Sequence, residues 1–202
     1  MSKTKTSKLL LVYKQSLLDK MIGKITDEMI KDKNKIFFDP SIGSGQIVGA
    51  IEQKLIDCGN TIKDVSKRVF GLEDNNYDIS IAKHKNYLQG TYMKGTLFNM
   101  PKEMKNIFKN IKKEDITALT NPPYRGGEEL HQRFYNRLCE AAGNVITIQP
   151  ATPYFNKNPK PRKHEAEMIE NILNHKTDAE IVSRNVFENA TIENYLAITS
   201  TN

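Results

Sequence analysis

The fold of this chain is decided by the segment Ile36-Phe37-Phe38-Asp39-Pro40-Ser41-Ile42-Gly43-Ser44-Gly45. Its first three residues are apolar and predict a short buried strand, which ends at Asp39-Pro40 because proline lacks the N–H that a strand ladder needs. The glycine-rich turn that follows is expected to open a helix over residues 46–58, where apolar residues recur at helical spacing. A strand, a glycine turn and a helix in this order let a ligand approach the backbone closely and meet the helix N-terminus.

The glycine turn differs from the turn of a dinucleotide site. That site is signalled by G-x-G-x-x-G, whereas this turn reads Asp-Pro-x-x-Gly-Ser-Gly, with the Asp39 carboxylate before the glycines. A carboxylate attracts cations and repels a pyrophosphate. The pattern therefore favours a ligand with a cationic end.

A second cluster, Thr120-Asn121-Pro122-Pro123-Tyr124, follows a short apolar run at 116–119. Two consecutive prolines cannot continue a strand, so a strand is expected to end here. The Asn121 amide and the Pro122 carbonyl are acceptors that suit an exocyclic NH₂ group, and Tyr124 offers a face for stacking on a planar base. The alternative interpretation is a proline-rich turn after a buried strand, without a role in binding.

The remaining elements repeat the order of strand and helix. Strands are predicted at 36–38, 68–72, 92–97, 116–121, 145–149, 179–183 and 195–201. Helices are predicted at 10–31 with a break near Gly23, and at 46–58, 77–88, 128–142 and 165–174, whereas 59–67 is predicted to be a polar loop. This order predicts an α/β fold with a doubly wound sheet.

Composition sets bounds on the class of protein. The 202 residues fit one domain, and 38% hydrophobic with 27% charged residues is ordinary for a soluble globular chain. The 30 Lys and Arg exceed the 24 Asp and Glu by six, which favours a nucleic-acid partner, although a solvated basic surface is the alternative. The two cysteines, Cys58 and Cys139, lack metal-ligand spacing and are expected to be small core residues, and no apolar run has membrane-spanning length. We therefore expect a reduced, cytoplasmic protein whose residues 1–8 are poorly ordered.

The Asp39–Gly45 segment, Glu73 at the end of the second predicted strand and the Asn121–Tyr124 cluster together resemble the S-adenosylmethionine-dependent N6-adenine DNA methyltransferases, in the motif order of the gamma-type enzymes. The resemblance implies a seven-stranded Rossmann-like sheet with helices on both faces, in which residues 179–201 supply the last two strands, one of them antiparallel. It also implies methyl transfer from S-adenosyl-L-methionine to the N6 amino group of adenine in DNA (EC class 2.1.1), in a restriction–modification or phage-type modification system.

The same resemblance implies a cofactor site. Asp39, Pro40 and the Gly43-Ser44-Gly45 backbone would hold the methionine moiety, and Glu73 would bind the ribose hydroxyls. Thr96 stands where the family usually has an acid that binds the adenine amino group of the cofactor. Asn121 would border both the cofactor and the target.

On the substrate side, Asn121 and the Pro122 carbonyl would accept hydrogen bonds from the target amino group, and no metal ion is required. Tyr124 would stack on a base extruded from the helix, with Phe187 as a second aromatic contact. The basic loop with Lys157, Lys160 and Arg162 is expected to contact DNA, or else to be a solvated linker.

We expect a single catalytic domain over residues 1–202 without a separate target-recognition domain. Sequence specificity would then come from a specificity subunit, from a missing C-terminal recognition domain or from loops such as 157–163. A non-catalytic or partner-dependent subunit remains an alternative, as does a methyltransferase acting on RNA adenine or protein glutamine. The Asp-Pro opening of the glycine turn favours adenine over glutamine.

Overall fold

The computed structural model describes residues 14–123, 130–150, 160–175, 177–182 and 196–201. The strands in these ranges are β1 (Ile36–Asp39), β2 (Val69–Glu73), β3 (Thr91–Lys94), β4 (Ile116–Thr120), β5 (Asn144–Pro150), β6 (Thr177–Val182) and β7 (Leu196–Thr201). The helices are α1 (Gln15–Gly23), α2 (Asp27–Lys31), α3 (Gln46–Asp57), α4 (Ile62–Arg68), α5 (Asn76–Asn86), α6 (Lys102–Phe108), α7 (Leu130–Ala141) and α8 (Lys163–Asn174). None of the helices in these ranges is long and apolar enough to cross a membrane.

The strands form one sheet in the order β3-β2-β1-β4-β5-β7-β6. Strands β1 to β5 run parallel, and β7 pairs antiparallel with both β5 and β6. The predicted α/β fold with a largely parallel sheet is confirmed. The strand order reverses beside β1, which has β2 on one side and β4 on the other, and ligands of open α/β sheets bind at such a switch point.

Helices cover both faces of the sheet, so its central strands are buried throughout. Phe37 of β1 packs into a core with α1, α3 and α5, whereas its neighbour Phe38 faces a second core with α6, α7 and α8. Side chains of a strand alternate between faces, and here both faces are apolar. This explains why the strands appear in the sequence as continuous apolar runs.

The structure corrects two predictions of local structure and confirms a third. Residues 59–67, predicted to be a loop, include most of α4, which begins with a capping box between Thr61 and Asp64. The break predicted near Gly23 within the helical segment 10–31 is confirmed, because α1 ends at Gly23 and α2 begins after the N-cap Thr26; residues 10–13 lie outside the described ranges. Cys58, predicted to be a core residue, is exposed, whereas Cys139 is buried.

A buried guanidinium holds the end of α2 against the core. Arg68 is 3% exposed, and its five N–H groups donate to five acceptors at 2.9 Å. Four of these acceptors are backbone carbonyls, those of Met29, Ile30, Asp32 and Lys35. Burial lowers the pKa of Arg68. The side chain thus satisfies carbonyls that the short helix leaves without helical partners.

We expect Arg68→Ala to lower the free energy of unfolding by about 3 kcal/mol, because it leaves several buried carbonyls without donors. Arg68→Lys should recover only part of this loss, since an ammonium cannot reproduce the planar fork. Urea denaturation followed by circular dichroism measures the effect. The matched control is Lys67→Ala, whose exposed side chain lies in the same last turn of α4. Equal stability of the Arg68→Ala and Lys67→Ala variants would contradict the anchoring role.

Candidate functional site

The carboxyl ends of β2, β1 and β4 bring the predicted motifs together at one edge of the sheet. Asp39 pairs with Gly71, so Glu73 extends two residues beyond the level of Asp39. Phe38 pairs with Ala118, so Asn121 extends equally far on the other side. Adjacent strands lie about 4.8 Å apart, which separates the backbones at Glu73 and Asn121 by about 10 Å. Asp39 therefore lies two residues short of Glu73 and of Asn121 along the strand direction, and we call the region bordered by these three residues the recess.

The glycine turn from Ser41 to Gly45 requires its glycines for two different reasons. Gly43 has φ +49° and Gly45 has φ +81°, a region that other residues adopt at a cost. A Cβ on Gly45 would lie 2.8 Å from the Ala82 Cβ of α5, so the turn packs directly against that helix. Among the described residues, a Cβ on Gly43 would meet only the Ser41 carbonyl within 4 Å, at 3.9 Å. These residues leave the Gly43 side of the turn open to a ligand.

The Glu73 carboxylate, 2% exposed, joins the turn to the end of β2. Its Oε2 accepts a hydrogen bond from the Gly43 amide at 3.0 Å, and its Oε1 accepts one from the Asp74 amide at 3.1 Å. Beside it, the Ile42 amide donates to the Leu72 carbonyl at 3.0 Å. The orientation of Glu73 is therefore set by backbone groups, and the carboxylate positions the turn as well as facing the recess.

Asp39 is a buried carboxylic acid with an incompletely satisfied side chain. It is 0% exposed, and its Oδ1 accepts from the Ser41 amide at 2.9 Å. Its Oδ2 lacks a hydrogen bond of good geometry among the described residues, although the Thr120 hydroxyl is near enough to favour the charged form. Burial, aided by the charge of Glu73, raises the pKa of Asp39 to about 7. A cation bound in the recess would supply the interaction that the ionised form lacks.

Thr96 lies two residues after β3 and closes a short turn. Its hydroxyl accepts from the Asn99 amide at 3.0 Å, and the Thr96 and Asn99 backbones exchange hydrogen bonds at 3.1 and 3.3 Å. The preceding Gly95 amide donates to the Glu73 carbonyl at 2.9 Å. Thr96 is therefore held close to the end of β2, where it offers a hydroxyl in place of a carboxylate.

The structure describes only part of the predicted substrate side. Asn121 and Pro122 are buried at the end of β4. Lys160 and Arg162 are exposed just before α8, which packs on α7 through a hydrogen bond between the Asn171 and Asn136 side chains. Tyr124, Lys157 and Phe187 lie outside the described residues.

Two buried polar residues at the same edge were not singled out from the sequence. Thr120 and Gln149, both 0% exposed, lie at the carboxyl ends of β4 and β5. Thr120 pairs with Thr147, which places Gln149 level with Pro122. The sequence feature that could have identified them is a polar residue at the end of an otherwise apolar strand. Such a residue lies at the edge of the sheet where ligands bind.

No family model and no curated protein matches this chain. Among solved structures, it is similar to a modification subunit assigned to a type I restriction enzyme from Vibrio vulnificus, with a TM-score of 0.66 and 13% identity over 98% of this chain and 45% of that one. A type I restriction-modification methyltransferase subunit from Streptococcus thermophilus has a TM-score of 0.65 and 14% identity, over 96% of this chain and 45% of that one. A protein from Listeria monocytogenes, assigned to the class I S-adenosylmethionine-dependent methyltransferases, has a TM-score of 0.63 and 13% identity, over 94% of this chain and 60% of that one. These similarities establish a methyltransferase-type fold, and the chain spans less than two thirds of each of these structures.

We expect Asp39→Asn to have a higher free energy of unfolding than the natural chain at pH 8. The difference in this free energy should grow as the pH rises from about 4 to about 7. In this window the folded chain keeps a proton on Asp39 that the unfolded chain has released, so rising pH lowers the free energy of unfolding. The shift of the Asp39 pKa from 3.8 to about 7 corresponds to a difference on the order of 4 kcal/mol. Urea denaturation from pH 4 to pH 8 measures it.

Asp57→Asn is the matched control, because Asp57 is an exposed carboxylate at the end of α3. The difference between this variant and the natural chain should remain nearly constant over the same pH range. An Asp39→Asn curve parallel to that of the natural chain would show that Asp39 is already ionised in the folded protein.

Proposed function

We propose that this chain binds S-adenosyl-L-methionine and transfers its methyl group to the N6 amino group of adenine in DNA. The observation that carries this proposal is the convergence of three strand ends. The Asp39 carboxylate with its glycine turn, Glu73 and Asn121-Pro122 meet at the switch point of the sheet. The similarity in fold to restriction-modification methyltransferase subunits supports the reaction class.

The residues at the edge fit the cofactor. The open side of Gly43 admits a ligand against the backbone, and the incompletely satisfied Oδ2 of buried Asp39 suits the cationic end of the methionine moiety. Glu73 presents a fixed carboxylate that can accept hydrogen bonds from ribose hydroxyls. Thr96 would offer its hydroxyl near the adenine ring. When bound, S-adenosyl-L-methionine supplies a methyl group that its sulfonium charge makes electrophilic.

Asn121 and the Pro122 carbonyl act on the acceptor side. The amino group of adenine is a weak nucleophile, because its lone pair is delocalised into the ring. Two acceptors on its hydrogens favour a more pyramidal nitrogen and localise that lone pair for attack. Prolines at 122 and 123 fix the backbone that carries these acceptors. The chemistry is then mainly positioning and electrostatics, and Tyr124 and Phe187 would hold the extruded base.

We further propose that residues 1–202 form one catalytic domain acting in the cytoplasm, and that sequence specificity comes from a specificity subunit or from a C-terminal recognition domain. The similar subunits from Vibrio vulnificus and Streptococcus thermophilus are each about twice as long as the part this chain matches, at 45% of their length. A specificity subunit or a C-terminal recognition domain could supply target reading here. The exposed Lys160 and Arg162, together with Lys157, would contact the phosphate backbone.

Two measurements on the full chain test the proposal. Isothermal titration with S-adenosyl-L-methionine should show binding, and its absence at millimolar cofactor would exclude an enzyme that works alone. Transfer of tritiated methyl groups should then label adenine-containing DNA. Labelling of RNA or of protein glutamine in its place would keep the cofactor assignment and overturn the substrate, whereas binding without transfer would favour a partner-dependent subunit.

We expect Asn121→Ala to abolish methyl transfer while leaving the dissociation constant for S-adenosyl-L-methionine within about threefold, because the lost acceptor faces the target amino group. Tyr124→Ala should behave in the same way. Tritium transfer and isothermal titration on the same preparations separate the two effects. Asn99→Ala, at an exposed residue of the turn after β3, is a control for the loss of an amide. Equal loss of transfer and of cofactor affinity would show that Asn121 belongs to the cofactor site alone.

Replacing Lys157, Lys160, Arg162 and Lys163 together by Ala should reduce the dependence of DNA affinity on salt concentration. Each lost phosphate contact lowers the slope of log K against log salt by about 0.9, so the slope should fall by several units. Fluorescence anisotropy with a labelled duplex measures it between 50 and about 200 mM salt. The control replaces Lys63, Lys67, Lys83 and Lys85, four exposed lysines of α4 and α5. An unchanged slope would show that the 157–163 segment is a solvated linker and does not contact phosphates.

A further inference from the structure

We infer that Asn86, the last residue of α5, is a positioning residue that holds the glycine turn in its ligand-binding shape through the Ser44 carbonyl. The inference deepens the proposed function and rests on it as far as the cofactor is concerned. The hydrogen bonds on which it is based lie within this chain and do not involve the cofactor. Asn86 acts through the backbone of the turn, because its side-chain amide donates to the Ser44 carbonyl.

The Asn86 amide makes two hydrogen bonds that lock its orientation. Its Nδ2 donates to the Ser44 carbonyl at 2.9 Å and to the Ala82 carbonyl, one helical turn earlier, at 3.0 Å. Both hydrogens of the NH₂ group are therefore used. The second bond fixes the side chain on its own helix, so that the first bond holds the turn to α5.

The bond to Ser44 completes the fixation of one peptide group. The peptide between Ser44 and Gly45 has its carbonyl held by Asn86 and its N–H donated to the Ile42 carbonyl at 2.8 Å. The peptide between Ile42 and Gly43 is held in the same way, with its N–H on Glu73 Oε2. Two alternate peptides of the turn are thus held from outside it, one by β2 through Glu73 and the other by α5 through Asn86.

The packing around Asn86 matches this role. A Cβ on Gly45 would lie 2.9 Å from Asn86 Nδ2, and a Cβ on Gly49 would lie 3.2 Å from the Asn86 Cβ. The two glycines are one turn apart and leave a notch on α3 that the asparagine fills. A side chain without an NH₂ group would remove the Asn86 donor from the Ser44 carbonyl. Asn86 therefore contributes both its packing against the two glycines and its NH₂ group.

Asn86→Asp tests the hydrogen bond at nearly constant volume. The substitution places a carboxylate oxygen against the Ser44 carbonyl, so an attraction becomes a repulsion, and the turn must shift. We expect the affinity for S-adenosyl-L-methionine to fall by about tenfold or more, with kcat at saturating cofactor changed by less than about threefold. Asn86→Ala should weaken binding less, because it removes the donor without adding a repulsion.

Leu88→Ala is the matched control for a loss of stability alone. Leu88 is a buried core residue that also faces Gly49, but it forms no hydrogen bond with the turn in the described part of the chain. Its variant should lose more stability than Asn86→Asp, since leucine truncation leaves a cavity, and yet keep cofactor affinity. A loss of affinity that simply follows the loss of stability in all three variants would overturn the inference.

Hydrogen exchange without any ligand tests the same inference independently of the cofactor. In Asn86→Asp, the amides of Gly43 and Gly45 should exchange faster than in the natural chain, while those of β1 and β4 remain protected. In Leu88→Ala, any increase should spread over the core around α3 and α5. Unchanged exchange in the turn of Asn86→Asp would refute the positioning role. Failure of the natural chain to bind cofactor would instead refute the proposed function.

Discussion

The hydrogen bond from the Gly43 amide to the Glu73 carboxylate is the interaction on which this site depends. It joins the loop after β1 to the end of β2, and it is possible because the parallel pairing sets Glu73 two residues beyond Asp39. Gly43, which donates this bond, has a left-handed backbone with φ +49°. A single carboxylate thereby fixes the shape of the turn and faces the recess. Sheet register, glycine conformation and ligand chemistry are coupled at this one contact.

The burial of Asp39 at this site lowers the stability of the folded chain when the carboxylate is ionised. Burial beside Glu73 disfavours its charge, and its pKa near 7 means that the folded chain tolerates the ionised form poorly. A core position would be more stable with a neutral residue. The acid is at the end of β1 between two pinned neighbours, where a bound cation would restore the missing interaction. Strongly shifted carboxylates of this kind are typical of functional sites.

Much of the fold and of the candidate site could be predicted from the sequence, because the patterns that define the strand ends are local. The apolar run before Asp39 and the double proline after Asn121 define strand ends, and parallel strand ends share an edge. α4 was missed because its polar sequence has little periodicity, and its start depends on the Thr61–Asp64 capping box. The role of Asn86 could not be predicted either, since its contact with Ser44 spans 42 positions and arises only when α5 packs on α3.

The layers of the fold explain why the turn can be held so firmly. α3 starts in the turn, packs on α1, and uses Lys54 to donate to the Ile22 and Ile25 carbonyls at 3.1 and 2.6 Å. Arg68 does the same for α2 from the end of α4. The elements around the glycine turn are thus tied to one another by side chains that donate to backbone carbonyls, as Asn86 donates to Ser44. Because backbone carbonyls do not titrate, these contacts keep the turn in place as Asp39 changes its charge near neutral pH.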